Sequence, residues 1–276
     1  EVIGTYGVSK ILKVTNDKLS IFNAKAYATT IAQAAQNEGA STIVVSSSTD
    51  TKYMAAILAG ILNAGYCTNV VAPPLSTNPL DVKRTAFSNK GFSHTKYKTA
   101  TNIIGVSNNA YGIFENKLSP QLEDFEPSLT DADFSVQSLN IDKVVGKATI
   151  ADADIVVSGG RGLKGPENWG MIEELAEVLG AATACSKPVS DMGWRSHSEH
   201  VGQTGKPGAS NLDIAIGISG AIQHLAGINA SKVKVVINTD PEAPFFKAAD
   251  YGIIGDAFEV VPKLTEKLKE FKAQNA

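Results

Sequence analysis

Glycine-rich polar segments in the second half of the sequence hold the residues best suited to bind a ligand. The first is Ser158–Gly162. Its glycines let backbone N–H groups approach an anion closely, and Arg161 offers a positive charge to a phosphate. A tight turn between a strand and a helix also accounts for these glycines. The segment departs from the dinucleotide-binding fingerprint, so it is a weak signal alone.

Two further segments supply hydrogen-bonding groups. Amide and hydroxyl groups in the first suit the polar edge of a flat heterocycle; its members are Val201, Gly202, Gln203, Thr204, Gly205 and Lys206. The second opens a predicted helix; its members are Ser219, Gly220, Ala221, Ile222, Gln223 and His224. We predict Ser219 at the helix N-cap and Ile222 against the sheet. A surface loop and an ordinary capped helix are the alternative interpretations.

Asn238 and Asp256 each follow a predicted strand. The Asn238 amide suits ribose or adenine, whereas a loop shaped by Pro241 and Pro244 is the alternative. No Ser/His/Asp arrangement suggests catalysis. His197 and His200 are three residues apart but lack a third ligand, so we expect no metal.

The pattern of apolar residues predicts the sheet that positions these segments. Strands alternate with helical patterns in the second half; they are predicted at 154–157, 181–185, 212–218, 232–238 and 251–256. A helix is predicted from Pro166 to Gly180, and Phe258–Val261 leads into a last helix. This alternation predicts a doubly wound parallel sheet, whose ligand crevice lies at the carboxyl ends of its strands.

The first half predicts a Rossmann-like α/β domain. Strand and helix signals alternate up to Ala72, with helices at 24–36 and 53–63 and Gly65 ending the second. Three strands between Val82 and Gly112 without a helix predict an antiparallel extension. We place the junction near residues 120–145, giving an N-terminal domain over 1–140 and a C-terminal domain over 141–276.

Composition excludes several classes of protein. The 276 residues carry a formal net charge of -3, which disfavours nucleic-acid binding. Cys67 and Cys185 fit neither a disulfide framework nor a metal spacing, and this favours a reducing compartment. The longest apolar stretches are too short to cross a bilayer, so we do not expect a membrane-embedded protein.

The polar segments together resemble the α subunit of electron-transfer flavoproteins. The resemblance is carried, in the family's order, by Val157–Leu163, Val201–Lys206, Gly217–Gly227, Asn238 with Asp240–Pro244, and Ala249–Gly252 with Gly255 and Asp256. It covers about residues 150–270. The first half resembles the family more loosely, and one strand–helix unit is expected before Glu1, so the first domain looks truncated at its start.

The resemblance implies FAD bound in an extended pose. Arg161, Ser186, Asn238, Asp256 and Ala257 match positions around the phosphates and AMP part. Val201–Thr204 and Ser219–His224 match positions around the isoalloxazine ring and ribityl chain, with Thr204 at flavin N5 and His224 near O2. Lys187 replaces the arginine that is usual after the serine, and either the flavin is tuned differently or Arg195 compensates.

The family's role is electron relay rather than substrate turnover. The resemblance implies a heterodimer with a β subunit that holds AMP. Electrons would come from flavoprotein dehydrogenases such as acyl-CoA dehydrogenases, and pass to a membrane quinone oxidoreductase. The expected location is the bacterial cytoplasm or the mitochondrial matrix. A nicotinamide-dependent dehydrogenase, a non-redox nucleotide-binding scaffold and an electron-bifurcating relative are the alternatives.

Overall fold

The computed structural model describes residues 2–87, 89–141, 149–151, 153–205 and 208–275. Contacts divide these residues into two compact units. Unit 1 contains the described residues up to Thr85 and those from Phe92 to 141. Unit 2 contains the described residues of Ala86–Gly91 and those from 149 onward. The predicted junction falls partly on 142–148, which lies outside the described residues, as does Lys206.

Strands and helices alternate through most of unit 1. Its elements are β1 (Lys10–Lys13), α1 (Ala24–Asn37), β2 (Thr42–Ser46), α2 (Thr49–Leu62), β3 (Gly65–Val70), β4 (Ser76–Thr77), β5 (Leu80–Ala86), β6 (Gly91–Lys96), β7 (Asn102–Val106) and β8 (Gln121–Asp124). The main sheet has the order β2-β7-β3-β5-β4, and β6 pairs with β5. β1 and β8 form a separate parallel pair.

The predicted antiparallel extension is correct for β5 and wrong for β7. β5 runs antiparallel to β3 and β4, whereas β7 lies parallel between β2 and β3. Ile103 and Ile104, on successive positions of β7, are both buried. Burial on both faces is typical of a central parallel strand, and this explains the position of β7.

The second helix of unit 1 starts and ends earlier than predicted. The Ser48 side chain accepts a hydrogen bond from the Thr51 N–H, so α2 begins at Thr49 rather than Tyr53. Asn63 ends the helix in the left-handed conformation, with φ of 48°. Gly65 is therefore the first residue of β3, and not the stop signal.

Unit 2 has the predicted doubly wound architecture. Its elements are β9 (Ile155–Gly159), α3 (Gly170–Leu179), β10 (Ala182–Cys185), α4 (Lys187–Asp191), β11 (Leu212–Ile216), α5 (Ile222–Ile228), β12 (Val233–Asn238), β13 (Tyr251–Ile254) and α6 (Ala257–Gln274). All strands are parallel in the order β10-β9-β11-β12-β13. The direction of winding reverses between β9 and β11, and ligand crevices form at such a point.

Apolar side chains bury both faces of the unit 2 sheet. Val157 and Ile214 face the core shared with Ile172 and Leu175 of α3. On the other face, Val236 belongs to a second buried cluster; its members include Val156, Ala215, Ile228 and Phe245. Both faces of the central strands therefore exclude water, and each strand ends where the chain passes from this apolar core into a polar loop.

Three local predictions in unit 2 are wrong. Ala221, and not Ser219, is the N-cap of α5, because Gly217 and Gly220 have positive φ values of 64° and 84° that keep this segment out of the helix. Ile222 is 63% exposed rather than packed on the sheet. Phe258–Val261 lies inside α6, whose N-cap Asp256 accepts a hydrogen bond from the Phe258 N–H.

Candidate cofactor site

A cavity of about 590 Å³ lies at the carboxyl ends of the strands in unit 2. The residues that line it follow β9, β10, β11 and β12, and several come from the loop between α4 and β11. They are Arg161, Gly162, Ser186, Lys187, Pro188, Asp191, His200, Val201, Gly202, Gln203, Thr204, Gly217, Ile218, Ser219, Ala221, Gln223, His224, Asn238 and Asp240. The topological crevice and the cavity therefore coincide.

The loops after β9 and β11 touch through glycines. The Gly162 N–H donates to the Gly217 carbonyl at 3.0 Å, and the Gly160 N–H donates to Ile216. A Cβ atom at Gly160 would lie 2.1 Å from the Gly217 oxygen, and one at Gly162 would lie 2.6 Å from the Gly217 Cα. No side chain fits at either position, so backbone rather than side chains forms this part of the wall.

Gln203 and Thr204 occupy the centre of a tight turn. The Gly205 N–H donates to the Gly202 carbonyl at 3.1 Å, and the Gln203 N–H donates to the Gln223 carbonyl at 2.7 Å. The second bond fastens the turn to α5. The side chains of Gln203 and Thr204 line the cavity, and they supply one amide and one hydroxyl group.

His224 brings an unpartnered nitrogen to the cavity wall. Its Nδ1 lies 3.2 Å from the Val201 carbonyl oxygen, while its buried Nε2 has no hydrogen-bond partner among the residues that the structure describes. Because a carbonyl oxygen only accepts, Nδ1 carries the proton and Nε2 is the acceptor of the neutral ring. Burial lowers the pKa of His224 to about 4, so the imidazole is neutral at pH 7.

Lys187 is the cation that lies at the cavity on α4. Its Nζ is 2.9 Å from Asp191 Oδ1, and both residues line the cavity. Arg195 pairs instead with Glu173 at 3.3 Å and Glu199 at 2.9 Å, and is not among the lining residues. Arg195 therefore lies outside the cavity wall in this structure, and its guanidinium is held by two carboxylates.

Asn238 braces the ends of two neighbouring strands. Its Nδ2 donates to the Ile218 carbonyl at 3.0 Å, and its Oδ1 accepts from the Asp240 N–H at 3.1 Å. Asp256 caps α6 and lies 3.7 Å from Lys164 Nζ. Both side chains have structural partners, and each retains further hydrogen-bonding capacity.

Twelve of the sixteen predicted site residues line the cavity, and four do not. Gly220 packs against Phe245, where a Cβ atom would lie 2.5 Å from the phenylalanine backbone nitrogen. Ile222 is exposed, and Ala257 is buried in the core under α6. Asp256 lies one strand away, after β13. The structure thus brings the segments together but not every residue within them.

The sequence interpretation missed several lining residues, of which His200, Asp191 and Asp240 are ionisable. His200 was considered only as a metal ligand. Its position immediately before Val201 was the available signal, since the cavity wall continues through it. Asp191 is four residues after Lys187 and could have been found from that helical spacing.

The described part of the chain has neither a metal-binding cluster nor a helix that could span a membrane. Within the ranges the structure describes, no group of three or more His, Cys, Asp or Glu side chains could hold a metal ion. No described helix combines the length and the apolar character needed to cross a membrane.

Comparison with known proteins decides the family. Residues 149–229 match the family described as electron transfer flavoprotein FAD-binding domain, and residues 1–129 match the electron transfer flavoprotein domain. The chain is 36% identical over 267 residues to the electron transfer flavoprotein subunit alpha of Bacillus subtilis (strain 168), covering 96% of this chain and 82% of the relative. The chain belongs to the electron transfer flavoprotein α-subunit family.

Other members of the electron transfer flavoprotein family show the same relationship. The mitochondrial α subunit of Arabidopsis thaliana is 35% identical over 274 residues, covering 96% of this chain and 75% of the relative. The α subunit of Paracoccus denitrificans is 56% identical over 119 residues, covering 43% of this chain and 39% of the relative. Bacterial and mitochondrial proteins are thus both similar to this chain.

The C-terminal unit is accordingly an FAD-binding domain. The cavity fits this cofactor on two structural grounds. Arg161 lies at the cavity in the loop after β9, which the glycine contact packs against the loop after β11, and its guanidinium can pair with a phosphate. The unpartnered Nε2 of His224 is a buried polar atom that a ligand would satisfy.

Proposed function

We propose that this chain is the FAD-carrying subunit of a heterodimeric electron carrier, in which the cavity of unit 2 holds the cofactor. The observation that carries the proposal is the convergence of three features on one cavity. These are the glycine-lined loop contact with Arg161, the turn that presents Gln203 and Thr204, and the unpartnered Nε2 of His224. Bound FAD supplies the one-electron and two-electron chemistry that amino acids lack.

The glycine contact and nearby polar groups would bind the phosphate end. Arg161 follows β9 directly, and Ser186 precedes α4. Both line the cavity, and a guanidinium with a hydroxyl group suits a pyrophosphate. Asn238, Asp256 and Ala257 would lie along the AMP part, since they follow β12 and β13 at the same edge of the sheet.

The turn and α5 would bind the flavin ring. The Thr204 hydroxyl would donate to flavin N5, and Gln203 would add an amide. Ser219, Ala221 and Gln223 line the same cavity from the loop before α5 and its first turn. Val201 and Gly202 would contact the flavin through their backbone atoms. Gly220 and Ile222 would have an indirect role, by setting the conformation of the segment before α5.

His224 would hold a proton beside the reducible ring. In the neutral imidazole Nε2 is an acceptor, and the flavin oxygen O2 is also an acceptor, so the two atoms cannot hydrogen-bond to each other. Donation to O2 therefore requires a proton on Nε2. Negative charge at N1 and O2 would favour that protonation, so His224 would take up a proton when the bound cofactor is reduced.

The partners of the proposed carrier follow from the family. A β subunit that holds AMP would complete the heterodimer. Flavoprotein dehydrogenases such as acyl-CoA dehydrogenases would donate electrons, and a membrane quinone oxidoreductase would accept them. We place the protein in the bacterial cytoplasm or mitochondrial matrix, because relatives of both origins are similar to it. An electron-bifurcating variant is the second candidate within the family.

A reductive titration tests this function. The chain, co-expressed with its β subunit, is reduced stepwise with dithionite while the visible spectrum is recorded. We expect bound FAD and two resolved one-electron steps. A folded heterodimer that stays colourless after addition of FAD would overturn the proposal.

The same titration on His224→Gln tests the role of the histidine. The first midpoint potential should fall by about 60 mV or more, because a hydrogen bond to a charged group contributes about 1.5 kcal/mol and 59 mV corresponds to about 1.4 kcal/mol for one electron. His94→Gln, in unit 1, is the control and should leave the potential unchanged. Equal potentials in all three proteins would contradict the assigned role.

A further inference from the structure

His200 lies beneath the turn that carries Gln203 and Thr204. Its side chain is only 6% exposed. A Cβ atom at Gly205 would lie 2.8 Å from Nδ1 of His200, and one at Gly202 would lie 3.0 Å from Nε2. The two glycines at the ends of the turn thus make room for the ring, which spans the space between them.

The backbone around His200 is fixed on both sides. The His200 N–H donates to the His197 carbonyl, and the next residue, Val201, donates to the Cys185 carbonyl at 3.0 Å. A parallel bridge with Cys185 thus fixes the backbone of His200 alongside the end of β10. A ring attached to so constrained a backbone can support the turn above it.

Among the residues that the structure describes, the His200 ring is held by packing against the turn. Neither ring nitrogen of His200 hydrogen-bonds to another residue that the structure describes. The charged and titratable groups around the ring are Lys187 and Asp191 on α4, His197 in the preceding turn, and His224 on α5. Glu199, the preceding residue, is occupied by Arg195.

We propose that His200 is the positioning residue of the cofactor turn: its neutral ring, wedged between Gly202 and Gly205, holds Gln203 and Thr204 in place, and its protonation releases them. The inference rests on the proposed function, because the turn matters only if FAD occupies the cavity.

The sign of the pH effect follows from the surroundings of the ring. Burial lowers the pKa of His200, and the Lys187 ammonium lowers it further, whereas Asp191 opposes them. When either ring nitrogen takes a proton from solvent, the charged imidazolium is therefore more stable in water than in its buried position, and the ring moves outward. The turn loosens and FAD affinity falls only as the pH drops below this lowered pKa, which lies under the range of free histidine.

The test measures FAD affinity against pH for the heterodimer of the full chain with its β subunit. A one-unit difference in the pKa of His200 between the FAD-bound and FAD-free states changes affinity by about tenfold. We expect the wild-type dissociation constant to rise as the pH is lowered from 8, and to approach this tenfold increase once the pH lies below the pKa of His200 in both states. His200→Gln, which is planar but does not titrate, should bind FAD at pH 8 and lose the dependence. His200→Ala should bind weakly at every pH and change the visible circular dichroism of bound FAD.

Matched variants separate the possible sources of the pH effect. His197→Gln, a nearby histidine outside the cavity wall, should keep the wild-type profile. If His224→Gln alone abolishes the dependence, if His200→Gln retains it, or if His200→Ala binds FAD as the wild type does, the inference is overturned. A wild-type protein that binds no FAD at pH 8 would instead overturn the proposed function.

Nuclear magnetic resonance of histidine-labelled wild-type protein tests the inference even if the variants fail to fold. The His200 ring should titrate below the range of free histidine, and its apparent pKa should fall further when FAD is added. A His200 signal that FAD leaves unchanged contradicts the inference.

Discussion

At the scale of single residues, two buried ionisable side chains of unit 2 differ in whether they reach the cavity. His224 meets the cavity with an unpartnered nitrogen, so burial prepares it for a ligand. Asp213 on β11 is 1% exposed, lines no part of the cavity and leaves Oδ1 without a partner. Burial raises the pKa of Asp213 to about 7, although the Lys234 ammonium opposes the shift. The carboxyl group is therefore a cost to stability rather than part of the site.

Asp213 makes the free energy of unfolding depend on pH in a defined direction. The unfolded carboxyl group ionises above about pH 4, whereas the native group keeps its proton until about pH 7. The native state binds more protons in this interval, so stability falls as pH rises from 4 to 7 and is then constant. The loss is at most about 4 kcal/mol, since each pKa unit corresponds to about 1.4 kcal/mol.

Asp213→Asn should raise the melting temperature at pH 8 by several degrees and leave it nearly unchanged at pH 5. The amide has the shape of the carboxyl group but carries no charge at either pH. Thermal unfolding followed by circular dichroism measures the effect. Asp124→Asn, on the exposed strand β8, is the control. A variant less stable than the wild type at pH 8 would show that the charged form has a partner.

At the scale of elements, the strand ends of unit 2 could be predicted and the loops between them could not. Apolar runs identified β9 to β12 because burial on both faces leaves a continuous signal. β13 is an edge strand whose four residues are exposed, and its run of apolar residues was the signal. The start of α5 was misplaced because Gly217 and Gly220 adopt positive φ through tertiary contacts with Gly162 and Phe245. Such contacts join residues distant in sequence, and local propensity carries no information about them.

The loop contact gives a prediction for a matched pair of glycines. Gly162→Ala places a methyl group 2.6 Å from the Gly217 Cα, so the loops after β9 and β11 must separate. Stability should fall by about 2 kcal/mol or more, as overpacking does, and FAD binding should weaken further. Gly170→Ala, in the first turn of α3, meets no atom within 4 Å and should stabilise the helix by about 0.5–1 kcal/mol.

Chemical denaturation and FAD titration of both variants measure these effects. The pair separates a steric contact from the general effect of replacing glycine. Equal stability of the two variants would show that the loops yield without cost.

At the scale of the whole molecule, the site belongs to one unit. All the residues that line the cavity lie in unit 2. The resemblance predicts the cofactor in the second half, and most of the segments that carry this resemblance follow strands of one sheet. His200 could not be predicted as a lining residue in this way, since it lies in an irregular loop. The parallel bridge with Cys185 is the tertiary contact that places it at the cavity.

Cofactor binding should stabilise the two units unequally. At an FAD concentration 100 times the dissociation constant, the folded state gains about 2.7 kcal/mol. Hydrogen exchange of amides in β9, β11 and β12 that exchange only through unfolding should slow about 100-fold, since 1.4 kcal/mol is a factor of 10. Amides of β2, β3 and β7 should change far less. Mass spectrometry of peptides from the heterodimer measures both, and equal slowing would show that the units unfold together.

The hydrogen bonds that fasten the strand ends decide when the cofactor can enter. Gly160 is joined to Ile216, Gly217 to Ile237, and Val201 to Cys185, so contacts across 16 to 56 positions must form before the cavity exists. Contacts between distant parts of a chain form late in folding. FAD therefore cannot guide the nascent chain towards its structure. A chain made while riboflavin is scarce would therefore fold without its cofactor and bind FAD later without refolding.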